Sequence, residues 1–315
     1  KDTRASGYML ETALCAGICS AGADVLLVGP MPTPGIAFLT ADMRCDAGAV
    51  ISASHNPFED NGIKFFSSDG YKLSDEEEER IEEWVLSEPA LSERPIGAGV
   101  GVVERNEELI HDYVRFLSST TPDLDLSGMR IVIDCAHGAA YRVAPAVFEA
   151  LGAEVIPINV EPNGANINVD CGSTHPNAAR RAVLAHSAHL GFSHDGDADR
   201  VIALDENGDL VDGDYILAIL GLELLRAGRL PGNSIAATVY SNFGLIKAFR
   251  DAGGNVIVTR AGDRYVLQTM IEHGLVLGGE KSGHIIFLAH STTGDGLLTA
   301  LQLAATVVKK GEPLS

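Results

Sequence analysis

Residues 46–57 read Asp-Ala-Gly-Ala-Val-Ile-Ser-Ala-Ser-His-Asn-Pro, a short apolar run that passes directly into a polar turn. The run predicts a buried strand, and His55, Asn56 and Pro57 predict a tight turn immediately after it. Ser54 therefore stands near the carboxyl end of a strand, the edge at which the sheets of α/β proteins carry their functional groups. This order of strand, serine and turn favours an α/β protein.

Similar apolar runs recur along the chain and alternate with segments of helical periodicity. Amphipathic helices are predicted at 12–21 and 245–252. Further buried strands are predicted at 25–28, 131–134, 155–158, 201–204, 235–239 and 256–259. Asn207-Gly208 lies between two apolar runs and predicts a hairpin. Strands that alternate with helices are typical of α/β domains.

The chemistry available to Ser54 depends on what surrounds it. A serine hydroxyl is a weak nucleophile unless a base or a metal ion activates it. Once phosphorylated, it becomes a dianion that can donate its phosphate. The pattern therefore suits a phosphate carrier held in a polar turn. An ordinary strand-to-loop junction capped by Ser and Asn explains the same residues on the local pattern alone.

A second motif, at 195–200, places Asp195, Asp197 and Asp199 at alternate positions with Arg200 directly after them. Three hard oxygen ligands that converge in a loop suit Mg²⁺, which usually completes its coordination with phosphate oxygens. An EF-hand calcium loop is disfavoured, because Arg200 takes the place of its invariant glycine and the flanking runs predict strands. A solvated acidic turn without an ion remains the alternative.

The composition of the 315-residue chain limits what it binds. A formal net charge of −20, without any basic cluster, argues against nucleic acid. No apolar run approaches the ~20 residues that a membrane helix requires. The five cysteines are odd in number and form no Cys-x-x-Cys pair, which favours free thiols and a cytoplasmic protein. An anionic ligand would depend on isolated cations near the motifs, namely Arg4, Lys64, Arg200, Arg264 and Lys281.

Several motifs, in this order and over nearly the whole chain, resemble those of the α-D-phosphohexomutase family. The similar stretches are 1–7 (Lys-Asp-Thr-Arg-Ala-Ser-Gly), 52–57, 61–64 (Asn-Gly-Ile-Lys), 171–176 (Cys-Gly-Ser-Thr-His-Pro), 195–200, 262–266 (Gly-Asp-Arg-Tyr-Val) and 279–284 (Gly-Glu-Lys-Ser-Gly-His). Lys281 departs from the family, in which glutamine or methionine is expected. The resemblance implies an isomerase that interconverts hexose 6-phosphates and 1-phosphates through a phosphoserine enzyme and a sugar bisphosphate. Glucosamine phosphate is the expected substrate, on the route to UDP-N-acetylglucosamine and the cell wall.

The resemblance also implies roles for individual residues. Phosphate would be carried on Ser54. One Mg²⁺ would be bound by Ser54, Asp195, Asp197 and Asp199. The catalytic site would be completed by His55, Lys64 and Arg200, with Lys64 or His55 as the proton-transfer group. The sugar phosphate would be bound by Arg4, Asp263, Arg264, Glu280, Ser282 and His284. His194 is expected to be an ordinary residue at a strand end.

The expected fold consists of three consecutive, related α/β domains with mixed sheets around a central active-site cleft. We predict their bounds at 1–104, 105–210 and 211–315. The resemblance further implies a first domain that is truncated at its N-terminus and the absence of the family's fourth domain. The protein is expected to be a monomer or a homodimer.

Two alternatives stay open at this point. The same chemistry could act on glucose or mannose phosphates, or the chain could be a non-catalytic module that binds sugar phosphates. A metal-dependent phosphatase is disfavoured, because it would leave the setting of Ser54 unexplained.

Overall fold

The computed structural model describes residues 1–87 and 94–315. In the first part of the chain the elements are α1 (Ala5–Ser20), β1 (Val25–Leu27), α2 (Thr33–Asp42), β2 (Ala47–Ile51), β3 (Ile63–Ser67), α3 (Asp75–Ser87) and β4 (Val103–Arg105). β1 pairs with β4 in parallel, and β2 pairs with β3 antiparallel. Because β2 has one partner strand, only its last residues, Val50 and Ile51, are buried, whereas the sequence predicted a buried strand throughout.

The second part of the chain, around residues 105–210, is all described and contains a five-stranded mixed sheet. Their elements are α4 (Ile110–Ser119), β5 (Arg130–Asp134), α5 (Val143–Ala150), β6 (Glu154–Ile158), α6 (Asn177–His186), β7 (Leu190–His194), β8 (Val201–Leu204) and β9 (Leu210–Val211). The strand order is β6-β5-β7-β8-β9, with β8 and β9 antiparallel to their neighbours. Gly208 adopts φ +76° in the turn between β8 and β9, so the predicted Asn-Gly hairpin is confirmed.

Residues 211–315 are likewise all described and contain a four-stranded mixed sheet of order β11-β10-β12-β13. Their elements are α7 (Gly213–Arg226), β10 (Ser234–Thr238), α8 (Phe243–Asp251), β11 (Asn255–Thr259), α9 (Asp263–His273), β12 (Leu277–Gly279), β13 (Ile285–Phe287) and α10 (Gly296–Lys310). β10 is parallel to β11 and β12, and β13 is antiparallel to β12. The predicted α/β class with mixed sheets is confirmed, and the exact domain bounds stay a prediction.

One continuous cluster of buried apolar side chains runs through all three parts of the chain. It includes Met31 from the first part, Phe148 from the second and Phe249 from the third, each with essentially no exposed surface. Burial of apolar surface on this scale is the main force that holds the parts in fixed positions. The loops at the strand ends therefore meet in one place.

Within residues 1–87 and 94–315, no helix is long and apolar enough to cross a membrane.

Candidate active site

Loops that follow the carboxyl ends of three strands converge in the structure. We call residues 52–57, after β2, the serine loop; residues 195–200, after β7, the acidic loop; and residues 280–284, after β12, the glutamate loop. The backbone N–H of Val201, next to the acidic loop, donates to the carbonyl oxygen of Gly283 at 3.1 Å. The serine loop contacts the acidic loop through the Ser54 hydroxyl.

The three carboxylates of the acidic loop form a buried cluster. Asp195, Asp197 and Asp199 are at most 4% exposed, and one oxygen of each lies within 4.8 Å of the others. Within the described part of the chain, Oδ1 of Asp197 and Oδ1 of Asp199 have no hydrogen-bond partner. Buried oxygens without a partner are costly, and a cation would satisfy them. An all-oxygen donor set of this kind fits a hard divalent cation.

Burial and mutual repulsion act differently on these carboxylates. Burial, and then the charges of Asp199 and Asp197, raise the pKa of Asp195 well above its usual range. Burial would also raise the pKa of Asp197, but the neighbouring Lys64 ammonium outweighs it and holds that pKa below its usual range. Lys64 thus compensates the charge of Asp197, and a further positive charge would relieve the repulsion that acts on Asp195.

Ser54 lies directly against this cluster. Its hydroxyl Oγ donates to Oδ2 of Asp195 at 2.7 Å, and the same Oγ is 3.4 Å from Nδ1 of His55. The Ser54 backbone adopts φ +52°, in the left-handed region that L-residues seldom occupy. The turn predicted after β2 is therefore present, and its sharpness points the hydroxyl at the acidic loop.

Lys64 occupies β3 opposite Val50 of β2, which brings its ammonium to the same place. Its Nζ lies 2.6 Å from Oδ2 of Asp197 and 3.8 Å from Oδ2 of Asp199. Burial alone would lower the pKa of Lys64, but these two carboxylates more than reverse the effect and raise it.

Arg200 and His55 form a second contact between the serine loop and the acidic loop. Nη1 of Arg200 is 3.1 Å from Nδ1 of His55, and Nε of Arg200 is 3.8 Å from Oδ1 of Asp199. Burial, and then the Arg200 charge, lower the pKa of His55. His55 is therefore neutral around pH 7.

The residues of the glutamate loop differ in burial. Ser282 is exposed, and Glu280 accepts a hydrogen bond at Oε1 from the Gly262 backbone N–H at 3.1 Å. His284 is 2% exposed, and its Nε2 lies 3.9 Å from Asp199 and 3.8 Å from Asp263. Among the described residues, neither ring nitrogen of His284 has a hydrogen-bond partner. His284 thus stands between the acidic loop and the start of α9.

Asp263 and Arg264, at the start of α9, form ion pairs with residues from the first part of the chain. The Asp263 carboxylate pairs with Lys72, and a pocket of about 510 Å³ beside this pair is also lined by His284. Arg264 pairs with Asp75 and Glu78 at the start of α3, so it joins α9 to the first part of the chain. These contacts place Arg264 on the acidic start of α3.

Arg4 is 1% exposed, pairs with Asp2 and donates to backbone carbonyls of the serine loop. It therefore lies behind that loop, with its donors directed at protein oxygens.

Thr33 reaches the acidic loop although no sequence pattern singles it out. Its Oγ1 donates to Oδ2 of Asp197 at 2.7 Å, and its backbone N–H donates to the Asp197 carbonyl oxygen at 3.0 Å. The local signal is a threonine between Pro32 and Pro34 at the start of a helix, which predicts a helix start rather than a contact 164 residues away.

Sequence models of the phosphoglucomutase/phosphomannomutase α/β/α domains match this chain in order: domain I at residues 1–91, domain II at 111–208 and domain III at 212–315. A phosphoglucosamine mutase of Citrifermentans bemidjiense is 61% identical over the whole chain, which covers 70% of that relative. A phosphoglucosamine mutase of Carboxydothermus hydrogenoformans is 58% identical, with 71% of its length covered.

Solved structures share the fold. A phosphoglucomutase/phosphomannomutase family protein from Burkholderia thailandensis superposes with a TM-score of 0.84 at 27% identity, covering 98% of this chain and 67% of that one. The N-acetylphosphoglucosamine mutase of Aspergillus fumigatus, solved with GlcNAc-6P and magnesium, gives a TM-score of 0.65 at 18% identity, over 97% of this chain and 82% of that one.

Proposed function

The chain belongs to the phosphoglucomutase/phosphomannomutase family, and on that premise we propose that it interconverts glucosamine 6-phosphate and glucosamine 1-phosphate. The choice of sugar is supported by the 61% identity to a phosphoglucosamine mutase over the whole chain. The observation that carries the chemistry is the 2.7 Å contact between Oγ of Ser54 and Asp195 in the buried carboxylate cluster.

The reaction would consist of two phosphoryl transfers. In the first, the Oγ–P bond of phosphorylated Ser54 breaks, and the phosphorus bonds to the free hydroxyl oxygen of the sugar monophosphate. That hydroxyl loses its proton, and Oγ of Ser54 gains one as it becomes a free hydroxyl. The resulting bisphosphate reorients. In the second transfer, its other phosphate moves to Oγ of Ser54, which loses its proton, and the sugar oxygen that is released takes up a proton. The sugar has then exchanged its 6-phosphate for a 1-phosphate, and the enzyme is phosphorylated again.

Asp195, Asp197, Asp199 and Ser54 would together hold one Mg²⁺. A bound Mg²⁺ neutralises charge on a phosphoryl group in transfer. Oδ1 of Asp197 and Oδ1 of Asp199 support this assignment, since both are buried and neither has a hydrogen-bond partner among the described residues.

Lys64 and His55 would exchange protons or stabilise charge near Ser54. Lys64 reaches the cluster from β3, and His55 is 3.4 Å from Oγ of Ser54. Arg200 would direct its guanidinium at the transferring phosphate, because it belongs to the acidic loop and contacts His55 of the serine loop. Each role rests on distance to Ser54 or to the acidic loop.

We assign the sugar hydroxyls to the half-buried Glu280 and the exposed Ser282. Their loop contacts Val201, directly after the acidic loop, through Gly283. Asp263 and His284 would line the same cleft. We further place the reaction in the cytoplasm, which agrees with five free cysteines. A monomer or homodimer stays a prediction.

The test is turnover of glucosamine 6-phosphate with Mg²⁺, together with intact mass and peptide mapping of Ser54. We expect a phosphate on Ser54, loss of turnover in Ser54→Ala, and full turnover in the control Ser119→Ala, whose side chain is exposed. Normal turnover by Ser54→Ala would overturn the proposed nucleophile. Faster turnover of glucose or mannose phosphates than of glucosamine phosphate would replace the sugar and keep the chemistry.

A further inference from the structure

The side chains of Arg4 and Asn168 donate hydrogen bonds to backbone carbonyl oxygens of the serine loop. The carbonyl oxygen of Ser54 accepts from Nδ2 of Asn168 at 2.9 Å and from Nη2 of Arg4 at 3.3 Å. The carbonyl oxygen of Asn56 accepts from the same two groups, at 3.2 Å from Asn168 and 2.6 Å from Arg4. Two donors therefore share two acceptors on either side of His55.

Both donors are themselves held in place. Arg4 is 1% exposed and pairs with Asp2. Asn168 is 8% exposed, adopts φ +61°, and donates its backbone N–H to the carbonyl oxygen of Ala136 at 2.9 Å. Asparagine tolerates this left-handed conformation better than most L-residues. Arg4 comes from the first part of the chain and Asn168 from the second, so side chains from both parts hold the serine loop.

Gly196 of the acidic loop packs against the Ser54 carbonyl oxygen and the Asn168 amide. A Cβ on Gly196 would lie 2.6 Å from the Ser54 carbonyl oxygen and 2.9 Å from Nδ2 of Asn168. The acidic loop, the Asn168 amide and the Ser54 carbonyl are thus in direct contact. Rotation of the Ser54 peptide would break the hydrogen bonds to Arg4 and Asn168, and the same peptide fixes the direction of the Ser54 hydroxyl.

We propose that Asn168 is a positioning residue for phosphoryl transfer, which acts with Arg4 to clamp the Ser54 and Asn56 carbonyls and so aims Oγ of Ser54 at the acidic loop. The inference rests on the proposed function, because it concerns how Ser54 is presented for the reaction. In-line transfer demands close alignment of the reacting oxygen, and a misplacement of about 1 Å can cost roughly 100-fold in rate. Within the described residues, the side-chain amide of Asn168 donates only to the backbone of the serine loop. Its loss should therefore affect the transfer step more than sugar binding.

The test compares Asn168→Gly with Asn168→Asp. Glycine keeps the left-handed backbone and removes the amide, whereas aspartate keeps the size and places an acceptor against two carbonyl oxygens. The matched control is Asn233→Gly, another left-handed asparagine that is exposed and precedes β10. The measurements are kcat and KM for glucosamine 6-phosphate, single-turnover transfer from glucose 1,6-bisphosphate to dephosphorylated Ser54 followed by intact mass, and the melting temperature.

We expect both Asn168 variants to lower kcat and the single-turnover rate by about 10- to 100-fold with KM within about threefold of wild type, since alignment and not sugar binding is lost. Asn233→Gly should match wild type. Two results would overturn the clamp: Asn168→Asp retaining wild-type transfer, or an activity loss in Asn168→Gly that is matched by a fall in melting temperature and restored on cooling. Absence of phosphate transfer to Ser54 in wild type would instead reject the proposed function.

Discussion

Tyr113 donates its hydroxyl proton to Oδ2 of Asp295 at 2.8 Å, joining α4 to the start of α10. The other carboxylate oxygen of Asp295 accepts the Leu298 backbone N–H at 2.9 Å and so caps α10. The next residue, Gly296, donates its N–H to the Ala198 carbonyl oxygen of the acidic loop at 3.0 Å. A buried hydrogen bond between distant helices thereby supports the loop that carries the carboxylate cluster.

This pair predicts a pH-dependent stability. Burial raises the pKa of Asp295 to about 6, against about 3.9 for an unfolded aspartate. The folded state therefore retains this proton longer than the unfolded state, and the resulting stabilisation, present below pH ~4, is lost as the pH rises through ~6. At 1.36 kcal/mol per pKa unit the loss is about 3 kcal/mol.

Asp295→Asn should remove that pH dependence, because the amide does not titrate and can still pair with Tyr113. The measurement is the free energy of unfolding by urea from pH 4.5 to 7.5 for both proteins. We expect the wild type to lose about 2–3 kcal/mol relative to the variant across this range. A difference that stays constant with pH would contradict the assignment.

Mg²⁺ should stabilise the folded protein. The buried carboxylates of the acidic loop repel one another, and a cation that binds only the folded state adds about 2.7 kcal/mol at one hundred times its Kd. The melting temperature should rise with the logarithm of Mg²⁺ concentration at constant ionic strength. Asp199→Asn should weaken the rise, whereas Asp123→Asn, an exposed site, should preserve it. An equal rise with matched NaCl would show screening rather than a site.

Removal of the Lys64 charge should destabilise the metal-free protein. Lys64→Met keeps the length of the side chain but leaves the fully buried Asp197 without its cation at 2.6 Å. Because the Lys64 side chain is 25% exposed, we expect a loss of about 1–3 kcal/mol, less than for a fully buried pair. The check is urea unfolding in EDTA, with Lys247→Met as the control from an exposed pair on α8. Equal losses in the two variants would mean that the cluster does not depend on Lys64.

Gly213 should control the position of the glutamate loop. A Cβ at this first residue of α7 would lie 2.0 Å from the Glu280 carbonyl oxygen and 2.9 Å from the Gly283 nitrogen, so the loop must move if alanine is introduced. We expect Gly213→Ala to raise KM for the sugar phosphate at least about tenfold. That change corresponds to a loss of about 1.4 kcal/mol in binding free energy. Phosphate on Ser54 should remain.

The control for that substitution is Gly17→Ala in α1, where a Cβ would meet none of the described atoms within 4 Å. Alanine is also the better helix former there. Kinetics identical to wild type in Gly213→Ala would show that the loop adapts without cost.

Local sequence was sufficient wherever neighbours along the chain set the structure. Apolar runs predicted strands at the positions of β5, β6, β8, β10 and β11, and Asn207-Gly208 predicted the hairpin. At the start of α3, the Ser74 backbone N–H donates to the Glu77 carboxylate at 2.9 Å, a contact between neighbours along the chain. Asp195, Asp197 and Asp199 could be recognised together because a single tight loop carries all three.

Long-range contacts had no such signal. The sequence by itself determined the α/β class, the acidic loop and the serine in its turn, since short-range sterics, hydrogen bonding and burial periodicity dictate these. Only the tertiary structure decided that Thr33 meets Asp197, that Asn168 and Arg4 hold the serine loop, and that Arg264 pairs with α3. Hydrogen bonds and ion pairs between residues 52 or more positions apart leave no periodicity in the chain. Their geometry exists only after the common hydrophobic core has fixed the three parts relative to one another.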